Sequence, residues 1–291
     1  MIGLSLIRSA ALAGVLVAFS SGFLNAHASQ MQGKVEPRSY LALPLDASGK
    51  PPVIPYVREL EVHGKRLVVI GTMHSRNPRS PMFERIEAIF QRVRPQLVLH
   101  ETTAPAFLEK MPRDQAIKVG AEVGFAVYLA GRYGVAIRSG DASDKEEFSA
   151  LLAHYPAEDV LVFLTGQRLI GGRNPDLKEI ARQYPGFFET YLAANGIPRR
   201  NGWETWNGFL TEYEHVVGRP LTRASWNPDL LRSVRNNGKL SEMCRTMDAF
   251  RDRHLLAAIR EALRDHERVV VVFGAWHVLA LEPVLENVLS P

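Results

Sequence analysis

The stretch that decides the fold is residues 269–277, which read VVVVFGAWH. Five consecutive apolar residues, 269–273, predict the least ambiguous strand in the chain. Gly274 follows where this strand stops, and His277 comes three positions later. A glycine permits a sharp turn or a close backbone approach, so this pattern presents the histidine at the carboxyl end of the strand.

The same pattern occurs near the other end of the chain. Residues 67–74 read LVVIGTMH, so an apolar strand again stops at a glycine and a histidine, His74, follows three positions later. A single Gly-x-x-His is most simply a turn with an incidental histidine. Two such motifs, both at strand ends, indicate a shared role for His74 and His277.

A third strand supplies an acid at its end. Residues 96–99 read QLVL and are followed by His100 and Glu101. In open α/β sheets, ligands bind in the crevice at the carboxyl ends of the strands. We therefore expect His74, Glu101 and His277 to meet at one rim of the sheet.

The pattern between these strands predicts an α/β fold. Apolar strands alternate with stretches of helical periodicity, which favours a mixed, mainly parallel sheet flanked by helices. The alternating residues 57–62 and the turn after them predict a hairpin with the strand 66–70. The other predicted strands are 96–99, 134–137 and 269–273, and the predicted helices follow Pro81 and cover about 114–133, 241–265 and 278–289.

The N-terminus has the features of a targeting segment. Arg8 precedes an apolar run over residues 10–24, and residues 26–28 (AHA) form a small-x-small cleavage signal. The run is short for a membrane span and is interrupted by polar residues, so an uncleaved anchor is the less favoured alternative. Residues 1–28 are thus predicted to be a signal peptide, and the protein to be secreted, in the periplasm, with no stable membrane span after cleavage.

The rest of the chain is predicted to be one domain with an insertion. Residues 29–50 are polar, carry Pro and Gly, and predict a flexible lead-in. Residues 51–291 form a single α/β domain. Within it, residues 145–240 lose the strand signal and show helix-like pieces broken by prolines. We expect a helical insertion between the N- and C-terminal parts of the core, covering one end of the sheet as a lid.

Composition excludes several classes of protein. The chain has 291 residues, of which 46% are hydrophobic, so wholesale disorder is excluded. Its 35 Lys and Arg and 31 Asp and Glu are well mixed, and without a basic cluster we expect no nucleic-acid partner. The single cysteine, Cys244, excludes an intramolecular disulfide framework and a Cys-rich zinc module.

The residues at the predicted rim are compatible with two kinds of chemistry. Two imidazoles and a carboxylate can bind a divalent transition metal, with open positions at which water is activated. They can also act without metal, as a general base that a carboxylate orients. The residue pattern alone leaves both alternatives open.

The motifs and their order resemble the TraB/GumN/Tiki family, within the wider erythromycin-esterase and ChaN-like fold group. The resemblance covers both ends of the mature domain and little of residues 145–240. The stretches that carry it are 68–74 (VVIGTMH), 95–101 (PQLVLHE), 122–130, 140–141 (GD), 251–258 (RDRHLLAA) and 271–277 (VVFGAWH).

The resemblance implies a set of site residues. The family pattern pairs two Gly-x-x-His motifs with a strand-end Glu and an Arg on the helix before the last strand, which fall here on His74, His277, Glu101 and Arg253. Family members of studied activity are metal-dependent proteases that use manganese or cobalt. This sequence departs from the pattern at His254, where Asn or Asp is usual, and at His100, where an apolar residue is more common.

Secondary candidates each have a structural alternative. Arg253 is a candidate for stabilising an oxyanion or for a structural salt bridge. Glu122 either faces the rim near the start of its helix or is a solvated acid. Asp141 either orients an imidazole or caps the next helix. His254 is a candidate additional ligand, and His100 a neighbour that alters the site.

Three functions follow as hypotheses. The leading one is a metal-dependent peptidase in which manganese, cobalt or zinc is held by His74, Glu101 and His277, with Glu101 as ligand or base and Arg253 at the oxyanion. Its substrate is a peptide or a small molecule. The second is a metal-independent, esterase-like hydrolase with His74 as the base. The third is a non-catalytic protein that binds haem, iron or a peptide.

Overall fold

The structure, a computed structural model, describes residues 36–102, 108 and 110–288. The predicted signal peptide, residues 1–28, lies outside the described residues. The described strands are β1 (Tyr56–Val62), β2 (Lys65–Thr72), β3 (Leu97–His100), β4 (Ala136–Ser139) and β5 (Arg268–Gly274). They form one sheet in the order β1-β2-β5-β3-β4, in which only the β1–β2 pair is antiparallel. The prediction of a mixed, mainly parallel sheet is confirmed.

The strand that decides the fold lies at the centre of the sheet. β5 pairs with β2 on one side and with β3 on the other, and residues 269–273 are fully buried. Burial on both faces explains why this strand is apolar throughout instead of alternating. At the edge, β1 and β2 form the predicted hairpin through His63 and Gly64, both with positive φ.

Helices cover both faces of the sheet. They are α1 (Pro81–Val93), α2 (Arg113–Tyr133), α3 (Asp144–Leu152), α4 (Ala157–Thr165), α5 (Leu177–Phe187), α6 (Trp206–Val217), α7 (Lys239–Asp265) and α8 (Ala275–Leu281). Side chains of α1 and α2 pack on one face with Val68, Val98 and Val270. Those of α7 and α8 pack on the other face with Val69 and Val271.

The last helix differs from its predicted extent. The sequence predicts a helix over about 278–289, whereas α8 begins at Ala275, directly after β5, and ends at Leu281. Pro283 ends the α-helical hydrogen bonding, and the chain continues as short 3-10 turns at Glu282–Val284 and Glu286–Val288. The earlier start places His277 in the first turn of α8.

Residues 145–240 form the predicted helical insertion. Helices α3 to α6 and the turns between them build their own apolar cluster, which includes Phe163, Tyr184, Trp203 and Phe209. The N-terminal half of α7 packs into this cluster, and its C-terminal half packs on the sheet. One helix therefore connects the insertion to the sheet core.

The described part of the predicted flexible lead-in is packed on the domain. Tyr40 is buried and lies in a short 3-10 turn, Tyr40–Ala42. Arg38 donates hydrogen bonds to the carbonyl oxygens of Ala280 and Leu279, at 2.7 and 3.0 Å. The segment predicted as a flexible lead-in therefore contains residues, Arg38 and Tyr40, that hydrogen bonds and burial of an aromatic ring hold to the domain. In the described part of the chain, none of the helices combines the length and the apolarity that crossing a membrane requires.

Candidate functional site

A cavity of about 280 Å³ opens at the carboxyl ends of β2, β3 and β5. The strand ends and α8 contribute residues 72–74, 101 and 274–277 to its lining. Its remaining wall comes from α7 and from the insertion. His74, Glu101 and His277, expected to meet at one rim, therefore line one cavity, although 203 positions separate the two histidines in the sequence.

The two Gly-x-x-His motifs pack against each other. A Cβ atom added at Gly71 would lie 2.9 Å from the Cα of Ala275, inside the second motif. A Cβ atom at Gly274 would lie 3.2 Å from Glu101 Oε2, which accepts a hydrogen bond from the Gly274 main-chain N–H at 2.7 Å. Close approach of main chain thus requires the glycine at Gly71, whereas Gly274 leaves little room for a side chain and fixes the carboxylate through its N–H.

His74, Glu101 and Glu122 bring three potential ligand atoms together. One nitrogen or oxygen of each lies within 4.8 Å of the others. Glu122 is buried and hydrogen-bonds through Oε1 to His74 Nδ1, whereas His74 is 71% exposed. Glu122 Oε2 is buried and has no hydrogen-bond partner among the described residues.

The unpartnered Oε2 of Glu122 indicates whether these residues fit a metal ion. A buried carboxylate oxygen that accepts no hydrogen bond has a large desolvation cost. A cation coordinated by Glu122, Glu101 and the imidazole of His74 would remove that cost, and this mixed nitrogen and oxygen donor set suits manganese, cobalt and zinc. The residues present therefore fit a divalent transition metal.

A break in α2 directs Glu122 towards the strand ends. Ala121 has φ 49° and ψ −134°, so the helix is interrupted one residue before Glu122. Gly124 makes the break possible, because a Cβ atom there would lie 2.1 Å from the carbonyl oxygen of Ala116. Glu122 was expected near a helix start, and it heads the second segment of α2. Strained backbone of this kind is common at functional sites.

Glu101 is held as a carboxylate. Its Oε1 accepts a hydrogen bond of 2.7 Å from Arg251 Nη2, and its Oε2 accepts the one from Gly274. Burial alone would raise the pKa of Glu101, but the positive charges of Arg251, His277 and His74 outweigh burial and lower it. The group is therefore available as an anion at neutral pH.

Arg251 is the cation at the centre of the site. Besides Glu101, it binds both carboxylate oxygens of Asp141, with Nε–Oδ1 at 2.9 Å and Nη2–Oδ2 at 2.5 Å. Its Nε also lies 3.1 Å from Glu147 Oε1. Burial raises the pKa of Glu147 to about 7, although Arg168 and Arg251 oppose the increase. Asp141, a secondary candidate, thus orients an arginine instead of an imidazole.

His277 lies in the cavity but outside the cluster of potential ligands. Its Nδ1 is 2.7 Å from Asp252 Oδ1 and 2.8 Å from the Tyr40 hydroxyl, and its Nε2 is 3.2 Å from Arg251 Nη1. Burial would lower its pKa, but Asp252 overrides burial and raises the pKa to about 9. A protonated imidazole has no free lone pair with which to bind a metal, and Glu122, not His277, completes the cluster of potential ligands.

Arg253 and His254 do not reach the cavity. Residues two apart on an α-helix point about 200° apart, so Arg253 cannot share a face with Arg251. Arg253 is exposed and lines a different depression, together with Tyr40 and Asp252 on the far side of α7. His254 is half-buried near Glu146. Of the two arginines, Arg251 is the one that lines the cavity.

His100 is a buried structural histidine. It is 4% exposed, its Nδ1 contacts the main-chain oxygen of Glu101 at 3.0 Å, and it does not line the cavity. Burial lowers its pKa, so it remains neutral.

Arg251, Asp252 and Tyr40 were missed as functional residues by reasoning from the sequence. For Arg251 the signal was available, since it lies four and eight positions before Leu255 and Ile259, which are fully buried. Helical spacing therefore places Arg251 on the inner face of α7. For Tyr40 we find no such signal, because its contact with His277 spans 237 positions and depends on how the lead-in packs.

The fold and site define an α/β protein with a carboxylate- and histidine-lined cavity at the carboxyl edge of its sheet. No protein-family model matches the chain, and no curated protein is detectably similar to it. The resemblance to the TraB/GumN/Tiki family therefore stays a prediction that rests on the motifs quoted above.

Proposed function

We propose that this protein is a metal-dependent hydrolase whose centre consists of His74, Glu101 and Glu122. The observation that carries the proposal is the buried, unpartnered Oε2 of Glu122, beside a second carboxylate and an exposed imidazole. This set differs from the sequence hypothesis by one residue, with Glu122 in place of His277.

The chain's own residues supply the arrangement that hydrolysis needs. A divalent ion, when bound, polarises a carbonyl group and makes water more acidic. Arg251 and the Gly274 N–H keep the Glu101 carboxylate ionised and in a fixed orientation. Arg251 also lines the cavity, and its Nη1, unlike Nε and Nη2, makes no hydrogen bond to a carboxylate, so this nitrogen is positioned to stabilise negative charge that develops on a substrate oxygen.

Peptides are the substrate class that we propose. The support is the resemblance in the motifs, together with an open cavity of about 280 Å³ at the carboxyl ends of the strands. Export to the periplasm, which the first 28 residues favour, is part of the same proposal.

A metal-independent, esterase-like hydrolase is the second candidate. The observation that favours it is the hydrogen bond between His74 Nδ1 and the buried Glu122, because a carboxylate that orients an imidazole is the arrangement of a general base. In this reaction the exposed Nε2 of His74 would take the proton from an attacking water.

Hydrolysis measured with and without metal tests the proposal. The protein, purified without a histidine tag, is treated with EDTA and assayed on a mixture of short peptides before and after addition of Mn²⁺, Co²⁺ or Zn²⁺. We expect activity only with a metal, and its loss in His74→Ala but not in His63→Ala, a control in the exposed β1–β2 turn.

Two outcomes would contradict the proposal of a metal-dependent hydrolase. Full activity in EDTA would favour the metal-independent candidate. No hydrolysis under any condition, with the protein folded and metal bound, would reject both hydrolase functions.

A further inference from the structure

The wall of the cavity opposite the strand ends comes from α7 and the insertion, and the proposed hydrolytic centre does not use it. This wall contains Gln167, Leu231, Ser233, Cys244 and Asp248. We call it the α7 wall. Burial raises the pKa of the Cys244 thiol, whose Sγ lies 3.2 Å from the Leu231 carbonyl oxygen, so this cysteine is not an activated nucleophile.

Asp248 is a buried carboxyl group whose oxygens lie 3.9 to 4.0 Å from two cations and from the Cys244 thiol. It is 7% exposed, and the nearest positive groups are Arg251 Nη1 at 3.9 Å and His277 Nε2 at 4.0 Å. Within the described part of the chain, no cation lies within hydrogen-bond distance of it. Each neighbouring cation is already held by other acids, Arg251 by Glu101 and Asp141, and His277 by Asp252.

Two further acceptors on the same wall receive no hydrogen bond. Ser233 is 1% exposed, and its hydroxyl lies beside the Asp248 carboxyl group but accepts no hydrogen bond from any described residue. Gln167 Oε1 is likewise buried and unpartnered. Buried acceptors usually receive a hydrogen bond, so two that receive none, beside the Asp248 carboxyl group on one wall of a cavity, point to a ligand that supplies donors.

We infer that the α7 wall is a subsite for the protonated amino group of a substrate, bound by Asp248 with Ser233 and Gln167. As a substrate class this rests on the proposed hydrolase function, and it makes short peptides with a free amino end the preferred substrates. An ammonium group carries three donors and one positive charge, which matches a buried carboxylate and two neutral acceptors.

Two properties of the site support an ammonium ligand over a neutral one. Burial raises the pKa of Asp248 although the charges of His277 and Arg251 oppose the increase, and an ammonium group beside it would stabilise the ionised carboxylate further. Trp276 lines the same cavity, and aromatic rings stabilise cations that approach their faces.

Calorimetric binding of two matched compounds tests the subsite without requiring catalysis. L-leucinamide carries a free ammonium group, and N-acetyl-L-leucinamide has the same skeleton without the charge. Using the whole protein in EDTA and again with Mn²⁺, we expect L-leucinamide to bind at least about 10-fold more tightly, since a hydrogen bond to a charged group contributes at least that factor.

Variants assign the effect to Asp248. Asp248→Asn should reduce the preference for the free amine to near unity, and Asp265→Asn, on the exposed C-terminal end of α7, should leave it unchanged. Equal binding of the two compounds to the unaltered protein would overturn the subsite without any variant. An undiminished preference in a folded Asp248→Asn protein would overturn it as well.

The result separates the subsite from the proposed function. Asp248-dependent binding of L-leucinamide without hydrolysis of any peptide would support the subsite and reject the hydrolase. Metal-dependent hydrolysis of N-acetylated and free peptides at equal rates would support the hydrolase and reject the subsite.

Discussion

Two arginines on α7, two positions apart, have opposite surroundings. Arg251 bonds to Glu101 and Asp141 inside the cavity, and Arg253 is exposed. A planar guanidinium binds several carboxylates through a fixed fork of donors, which a lysine ammonium cannot reproduce. The identity of Arg251, and not only its charge, therefore matters for the site.

Exchange of each arginine for lysine gives the first prediction. Arg251→Lys should lower the free energy of unfolding by about 2–5 kcal/mol, because it breaks a buried network, and should reduce hydrolysis strongly. Arg253→Lys should change stability by less than about 0.5 kcal/mol and leave activity intact. Urea denaturation and peptide assays measure both. Equal effects of the two exchanges would contradict the placement of Arg251.

His277 stabilises the folded protein through its charge. Asp252 raises its pKa to about 9, against about 6.5 for an unfolded histidine. A raised pKa means that the folded state binds the proton more tightly. The stabilisation is therefore fully present below about pH 6.5 and is lost as the pH rises through 9.

The second prediction concerns how the stabilisation by His277 depends on pH. The free energy of unfolding of the unaltered protein should exceed that of His277→Gln by the largest amount near pH 6. This difference should shrink by up to about 3 kcal/mol by pH 10, which is the free energy that corresponds to the difference between the folded and unfolded pKa values of His277. Denaturation in EDTA at several pH values measures it. A difference that stays constant over this range would refute a charged His277.

At the level of elements, the Gly-x-x-His motifs act as packing units as well as carriers of histidine. Gly71 in β2 touches the main chain at Ala275 in α8, so the two motifs fix the spacing between β2 and the start of α8. The sequence indicates that a glycine permits close approach, but it does not identify the partner of that approach. The structure identifies the partner as the other motif.

Addition of one methyl group at Gly71 tests this packing. Gly71→Ala should destabilise the protein by about 1–3 kcal/mol, because the new Cβ meets main-chain atoms that cannot rotate away. Gly172→Ala is the matched control, since a Cβ atom there meets nothing within 4 Å. Thermal unfolding compares the two, and equal stability would show that the strand ends tolerate more space than the structure has.

The sequence predicted the elements better than the site. Apolar runs and helical spacing identified all five strands and the insertion, because burial imposes those periods locally. The positions of Glu101 and His74 at strand ends predicted that both belong to the site. The pairing of His74 with Glu122 could not be predicted, because the break at Ala121 that directs Glu122 has no signal in the apolar pattern. Tyr40 and Asp252 act on His277 through contacts between distant segments.

Over the whole molecule, α7 joins two apolar cores. Met243 and Met247 in its N-terminal half belong to the core of the insertion, whereas Leu255 and Ile259 belong to the core beside the sheet. Arg251 lies between these two groups on the same helix. A loss of packing in the insertion should therefore destabilise α7 as a whole and, with it, the position of Arg251.

Cooperative unfolding is the prediction at this scale. Met243→Ala should cost about 2–5 kcal/mol and shift the transitions seen by far-UV circular dichroism and by tryptophan fluorescence equally. Three of the four tryptophans lie in the insertion and the fourth, Trp276, at the start of α8. Separate transitions would show that the two cores unfold independently.

Calorimetric titration of the EDTA-treated, dialysed protein with Mn²⁺, Co²⁺ and Zn²⁺ tests the central claim most directly. At least one ion should bind with a stoichiometry of one. Glu122→Gln should weaken that binding by at least about 100-fold, the upper end of the effect of even an outer partner of a ligand. Glu84→Gln, at an exposed position on α1, should bind like the unaltered protein. Absence of stoichiometric binding, or unchanged binding in Glu122→Gln, would contradict a metal centre at His74, Glu101 and Glu122.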